Sequence, residues 1–136
     1  MNAVDTNVLA RFFINDPDDA EAIRQRPAAI AALSGTVFVP VSVILEFEWV
    51  MRGFYELSRK EIQRVLESLC GLANVQIEDR SVILAALTAY QQGLDFADAL
   101  HLAHSNFCSI FLSFDQRLIK RAKSAGLTPE VQAPTA

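Results

Sequence analysis

An α/β fold, with a mainly parallel central sheet and helices on both faces, is predicted by three observations. Short apolar runs at residues 3–5, 37–39, 75–77 and 109–112 have the length and the boundaries of strands. Between them lie stretches in which apolar residues recur at helical spacing, singly or as helix pairs. Runs such as Val37-Phe38-Val39 lack polar alternation, as expected of strands buried on both sides.

Taken in order, the first strand ends at Asp5, and Thr6 and Asn7 can bond nearby backbone and turn the chain. Val8, Leu9, Phe12 and Phe13 then repeat at helical spacing. Asp18 is the expected N-cap of the next helix, with Glu21 as its box partner. That helix should reach Leu33, kinked or restarted at Pro27, which lacks a backbone donor. After the strand at 37–39, Ser42 is expected to cap a helix whose stripe is Val43, Ile44, Phe47, Val50, Met51 and Phe54. Ser58 and Glu61 form a capping box for a helix stopped by Gly71. Residues 80–92 form an amphipathic helix ended by Gly93, and Asp95 caps another running to about Asn106. A clean buried strand follows at 109–112, then a helix from Asp115 to Ala125 ended by Gly126. A last short strand is expected at 130–131.

The chain has 136 residues, which suits one domain over residues 1–131 with a loose tail at 132–136. No apolar run approaches the ~20 residues of a membrane span. The start of the chain lacks the apolar core of a signal peptide, since Asp5 and Asn7 interrupt it, so a cytoplasmic protein is expected. Cys70 and Cys108 both lie among apolar neighbours and are expected as buried free thiols. The net charge of −4 argues against a protein whose main work is coating nucleic acid. A nuclease stays open, because an acidic site lowers the net charge while basic residues elsewhere hold phosphates. Two basic groups exist, Arg52, Arg59, Lys60 and Arg64, then Arg117, Lys120, Arg121 and Lys123. Each reads equally as a solvated helix face.

Four acids stand at sheet–helix junctions. Asp5 ends the first strand, and Glu46 lies in the first turns of the helix after 37–39. Asp98 lies in the first turn of the helix begun at Asp95, and Asp115 lies just past the strand at 109–112. In a parallel sheet with right-handed crossovers, such junctions share one edge, so the four can converge. Each also has a plainer reading. Asp5 can serve its turn, Asp98 the helix dipole and Asp115 a cap. Glu46 is harder to dismiss, set between Leu45 and Phe47, because glutamate is rarely buried unpaired. Three or four carboxylates suit Mg²⁺ or Mn²⁺, which take hard oxygen ligands, as one ion or a pair about 4 Å apart. Such a site activates water and stabilises the leaving oxygen of a phosphodiester.

Four segments carry a resemblance. They are Val4-Asp5-Thr6-Asn7-Val8-Leu9, Val43-Ile44-Leu45-Glu46-Phe47-Glu48-Trp49-Val50, Asp95-Phe96-Ala97-Asp98-Ala99-Leu100-His101-Leu102-Ala103 and Leu112-Ser113-Phe114-Asp115. In this order, over nearly the full length, the chain resembles the PIN-domain ribonucleases, specifically the VapC-type toxins of bacterial toxin–antitoxin pairs. The resemblance implies a three-layer α/β/α fold and endoribonuclease activity dependent on one or two Mg²⁺ or Mn²⁺ ions. It implies an RNA substrate, inhibition by a cognate antitoxin protein, and a homodimer. By matching position it implies catalytic and metal-binding roles for Asp5, Glu46, Asp98 and Asp115. Thr6, Asn7, Asp95 and Ser113 match supporting positions. Of Glu46 and Glu48, both within the second segment, Glu46 aligns with the helix start.

Other chemistry fits less well. Asp98, His101 and His104 spread over about 120° of helix, whereas helical zinc pairs sit at i, i+4. Both histidines read better as ordinary core or surface residues, with His101 a weaker candidate for a general base. Ser113 has no histidine beside it in a nucleophile motif. The aromatic residues Phe12, Phe13, Phe47, Trp49, Phe54 and Tyr55 are expected mostly in the core, with Trp49, Phe54 and Tyr55 alternatively on a dimer or antitoxin surface. Two further functions remain open from sequence. One is another metal-dependent phosphoesterase, a DNA nuclease or phosphatase. The other is a non-catalytic interaction protein whose acidic pocket receives a partner's basic side chain.

Overall fold

The computed structural model describes residues 1–136 and divides into two compact units, Met1–Arg80 and Ser81–Ala136. The first unit holds a sheet of three parallel strands in the order β1 (Asn2–Ala3), β2 (Val37–Val39) and β3 (Val75–Ile77). Parallel neighbours require a crossover of a dozen or more residues. Here each crossover is a helix pair: α1 (Thr6–Phe13) and α2 (Ala20–Ser34) lead to β2, and α3 (Val41–Gly53) and α4 (Arg59–Gly71) lead to β3. Helix α1 packs on α2 and α3, and α3 packs on α4. Leu9, Val39, Ile44, Phe47, Met51, Ile62 and Leu69 are fully buried. Phe13 meets the Phe47 ring at 6.1 Å between centroids.

The second unit holds α5 (Arg80–Gln91, begun in the last residue of the first unit), α6 (Phe96–His104), β4 (Ile110–Leu112), α7 (Gln116–Ser124) and β5 (Glu130–Gln132). Strands β4 and β5 pair in parallel, with α7 as their crossover. Tyr90 on α5 and Phe96 on α6 meet edge to face at 5.5 Å, and both are buried. The expected helix stops at Gly93 and Gly126 both have positive φ, at 105° and 64°, a conformation that glycine adopts without steric penalty.

Several boundaries differ from those expected. Strand β1 stops at Ala3 and is exposed; Val4 is buried and still bonds the Phe38 carbonyl at 3.2 Å, but Asp5 belongs to the helix as the N-cap of α1. Asp19, not Asp18, caps α2, bonding the N–H groups of Glu21 and Ala22 without a box from Glu21. Helix α2 runs through Pro27 without a restart; the proline stands on the exposed side, where water can serve the carbonyl it leaves unbonded. Pro40, not Ser42, is the cap residue of α3. It has no side-chain donor or acceptor to offer, and the Glu78 carboxylate accepts the Val41 N–H at 2.8 Å instead. Helix α6 ends at His104, short of Asn106.

Burial and order depart from expectation as well. Strand β4 is not clean and buried: Ile110 is 44% exposed and Leu112 60%. Cys108 is exposed, whereas Cys70 is buried as expected and burial pushes its thiol pKa up. Trp49 and Phe54 stand on the surface rather than in the core. Gln132 is not loose tail, since it pairs with Leu112 in β5 and its carbonyl accepts the Ser113 N–H at 3.0 Å.

Candidate metal centre

Asp5 is held by the start of α1. One oxygen, Oδ1, accepts the N–H groups of Asn7 at 3.1 Å and Val8 at 3.4 Å. Those are among the amides a helix leaves unbonded at its first turn. The other oxygen makes no hydrogen bond or ion pair, and the residue is exposed. Thr6, beside it, is buried, and its hydroxyl has no partner. The turn here is therefore made by the Asp5 carboxylate and not by the Thr6 hydroxyl.

Asp115 repeats this arrangement in the second unit. Its Oδ1 accepts the N–H groups of Arg117 at 2.9 Å and Leu118 at 3.1 Å, capping α7 and leaving Oδ2 unbonded. The Ser113 hydroxyl accepts the Asp115 N–H at 3.0 Å and so fixes the backbone that carries the carboxylate. Asp95 caps α6 through the Ala97 N–H at 3.2 Å. Asp98, in the first turn of α6, is half-buried and accepts no hydrogen bond. Burial raises its pKa first; the neighbouring charges of Asp95 and Asp115 raise it further, and His101 partly offsets them. Asp95 and Asp115 thus both act on Asp98 as like charges.

Glu46 and Glu48 on α3 have opposite fates. Glu46 is exposed, and no hydrogen bond or ion pair holds it, so it is not the buried glutamate its apolar neighbours led us to expect. Glu48 is, at 2% exposure, and Arg52 one turn on reaches its two oxygens at 3.0 and 3.3 Å. Glu48 is thereby committed to the fold, while Glu46 keeps both oxygens available.

Asp5, Glu46, Thr6 and Asn7 stand in the first unit, and Asp95, Asp98, Ser113 and Asp115 in the second. No group of three or more His, Cys, Asp or Glu side chains is drawn tightly enough together to hold a metal ion. The chemistry of the donors nevertheless suits a hard divalent cation. All are carboxylates, Asp5 and Asp115 each have an unbonded oxygen on a backbone-anchored group, and Asp98 sits where extra negative charge is disfavoured until a cation arrives. His101 and His104 are both exposed, and the charge of His101 acts on Asp98.

A fold of parallel strands joined by helical crossovers, with an aspartate capping α1 after β1 and α7 after β4, defines a class. The sequence model of the PIN domain matches residues 3–124, and the chain belongs to the PIN domain family. Its architecture is accordingly the three-layer α/β/α type with parallel strands. Among curated proteins, the chain is similar to a VapC ribonuclease of Aquifex aeolicus (strain VF5). The two are 27% identical over 124 residues, covering 88% of this chain and 91% of that protein. No helix is long and apolar enough to cross a membrane.

Proposed function

We propose that this protein is a divalent-metal-dependent endoribonuclease of the VapC kind, the toxin of a toxin–antitoxin pair. The observation that carries the reading is the shared build of Asp5 and Asp115. Each carboxylate is anchored through one oxygen to a helix N-terminus and presents the other unbonded. Asp19 is anchored in the same way on α2, but it follows no strand and its second oxygen pairs with Arg11 at 3.9 Å, whereas Asp5 and Asp115 stand at strand–helix junctions and leave theirs unbonded.

Asp5, Glu46, Asp98 and Asp115 are assigned as the ligands of one or two Mg²⁺ or Mn²⁺ ions. Bound there, the metal supplies Lewis acidity toward the scissile phosphate and lowers the pKa of water. The remaining roles belong to the chain. The α1 and α7 amides hold Asp5 and Asp115 in fixed rotamers, so little reorganisation is needed on binding. Ser113 positions Asp115 through its backbone N–H, and Asp95 does the same for α6 and hence Asp98. Thr6, next in the chain, is buried, and the Asn7 backbone N–H donates to the Asp5 carboxylate. Glu46 adds a carboxylate not tied to any partner.

The protein partner is assigned to the apolar groove of the first unit, about 540 Å³, lined by Asn7, Ala10, Arg11, Trp49, Val50, Gly53, Phe54 and Tyr55. Trp49 and Phe54 are 63% and 71% exposed on it, more apolar surface than a lone residue needs to shed. A cognate antitoxin and a second copy of the chain are the partners the reading supplies. The test of activity is cleavage of RNA and DNA of matched sequence by the purified chain, freed of any partner. RNA should be cut with Mg²⁺ or Mn²⁺ and spared with EDTA. Cutting of DNA in preference to RNA, or of neither, would contradict the assignment.

A further inference from the structure

Helix α7 carries four cations and no acid inside its span. Arg117, Lys120 and Arg121 share one face with Ser124, at the i, i+3, i+4, i+7 spacing that aligns side chains along a helix. These same residues, with Gln92 and Ala125, line a groove of about 680 Å³ in the second unit. No carboxylate lines it. Arg117, Lys120 and Arg121 are all exposed, and none makes a salt bridge or side-chain hydrogen bond.

Helix stability does not account for this stripe. Cations are favoured in the last turn of a helix, which suits Arg121 and Lys123. Arg117 stands at the other end, in the first turn, where the dipole disfavours positive charge. Spacings of three and four also bring like charges together with no acid to relieve them. The other basic group in the chain behaves differently: Arg52 is paired to Glu48, and the charge of Arg64 acts on Glu61. Two residues before the stripe lies Asp115, the cap of the same helix.

We infer that Arg117, Lys120 and Arg121 form a phosphate-binding rail that holds the backbone of the RNA strand beside the Asp115 end of α7. The proposal rests on the ribonuclease reading above. The cations fit phosphates and not bases, because they form a row of point and fork donors with no aromatic ring in the groove lining. The rail therefore sets affinity and register without sequence preference.

The test measures binding of a mixed-sequence single-stranded RNA oligonucleotide to the full chain in EDTA, over about 50 to 200 mM salt, so that cleavage plays no part. The Arg117→Gln/Lys120→Gln/Arg121→Gln variant is compared with wild type and with Arg117→Lys/Arg121→Lys. Three lost phosphate contacts should reduce the slope of log affinity against log salt by about 2, with at least ~10-fold weaker binding near 0.1 M salt. The lysine variant should keep a slope near that of wild type. Unchanged urea midpoints show that the fold is retained. Equal RNA affinity and slope in wild type and the glutamine variant overturn the rail, as does a loss confined to binding of a partner protein. A separate arm adds Mg²⁺. Wild type that cuts RNA while the glutamine variant binds it normally sinks the rail alone. Wild type that binds with the expected slope yet never cuts sinks the ribonuclease reading and leaves the rail standing.

Discussion

Glu46 and Glu48 stand two residues apart on α3, about 200° around the helix, and that rotation separates a surface carboxylate from a core one. Glu48 is buried and bonded to Arg52, so it contributes to stability. Glu46 is exposed and unbonded, so its removal leaves the fold untouched. Arg52→Ala should therefore destabilise the protein by about 2 kcal/mol, the scale of charge-assisted bonds lost from a buried group. Glu46→Gln should shift the urea midpoint negligibly yet abolish RNA cleavage; the reverse pattern would exchange their roles. The sequence names both glutamates, but their burial is decided by which face of α3 meets α1 and α4. Asp98 permits a pH test. Its pKa lies above the ordinary 3.8, so the folded state holds this proton more tightly than the unfolded one. Stability is then lost as pH rises from 3.8 through the folded value, and at neutral pH the charge opposes folding. Without metal, Asp98→Asn should be more stable than wild type at pH 7, with the advantage gone below pH 3.8. Equal urea midpoints at pH 7 would show that neither burial nor the neighbouring acids penalise the Asp98 charge.

Each helix start combines a cap with a strand end, and here local signals differ in how much they reveal. Asp95, Asp115 and Ser58 are legible as caps because the capping group lies two or three residues from the amide it serves. The cap of α3 is not, since Glu78 reaches Val41 across 37 residues of sequence and only the β2–β3 pairing brings them together. Asp18 and Asp19 are chemically alike, and the choice between them falls to the path of the preceding turn. The dual use of Asp115 can be separated by substitution. Asparagine caps as well as aspartate, whereas alanine loses about 1 kcal/mol. Asp115→Asn should keep the stability of wild type and lose cleavage; Asp115→Ala should lose both. Calorimetry and a cleavage assay on the pair check this, and full activity in Asp115→Asn would confine the residue to capping.

Across the whole chain, the alternation of strands and helices made the α/β class legible, and the order of four short motifs made the family legible. Exposure of β4 was not legible, and that of Trp49 and Phe54 only as an alternative, because apolar composition reports what a side chain favours and not whether a neighbour covers it. The backbone anchoring of Asp5 and Asp115 was legible as a turn and a cap; what sequence left out was that each carboxylate uses one oxygen for it and keeps the other unbonded. As proposed above, the free oxygens of Asp5 and Asp115 serve a metal site, and the anchoring does not serve the helices alone. That role is tested most directly by RNA cleavage in Mg²⁺ by wild type and Asp5→Asn at matched urea midpoints, since asparagine keeps the cap of α1 and removes the charge. Wild type should cleave, Asp5→Asn should not, and neither should in EDTA. Equal cleavage by the two proteins would contradict that role.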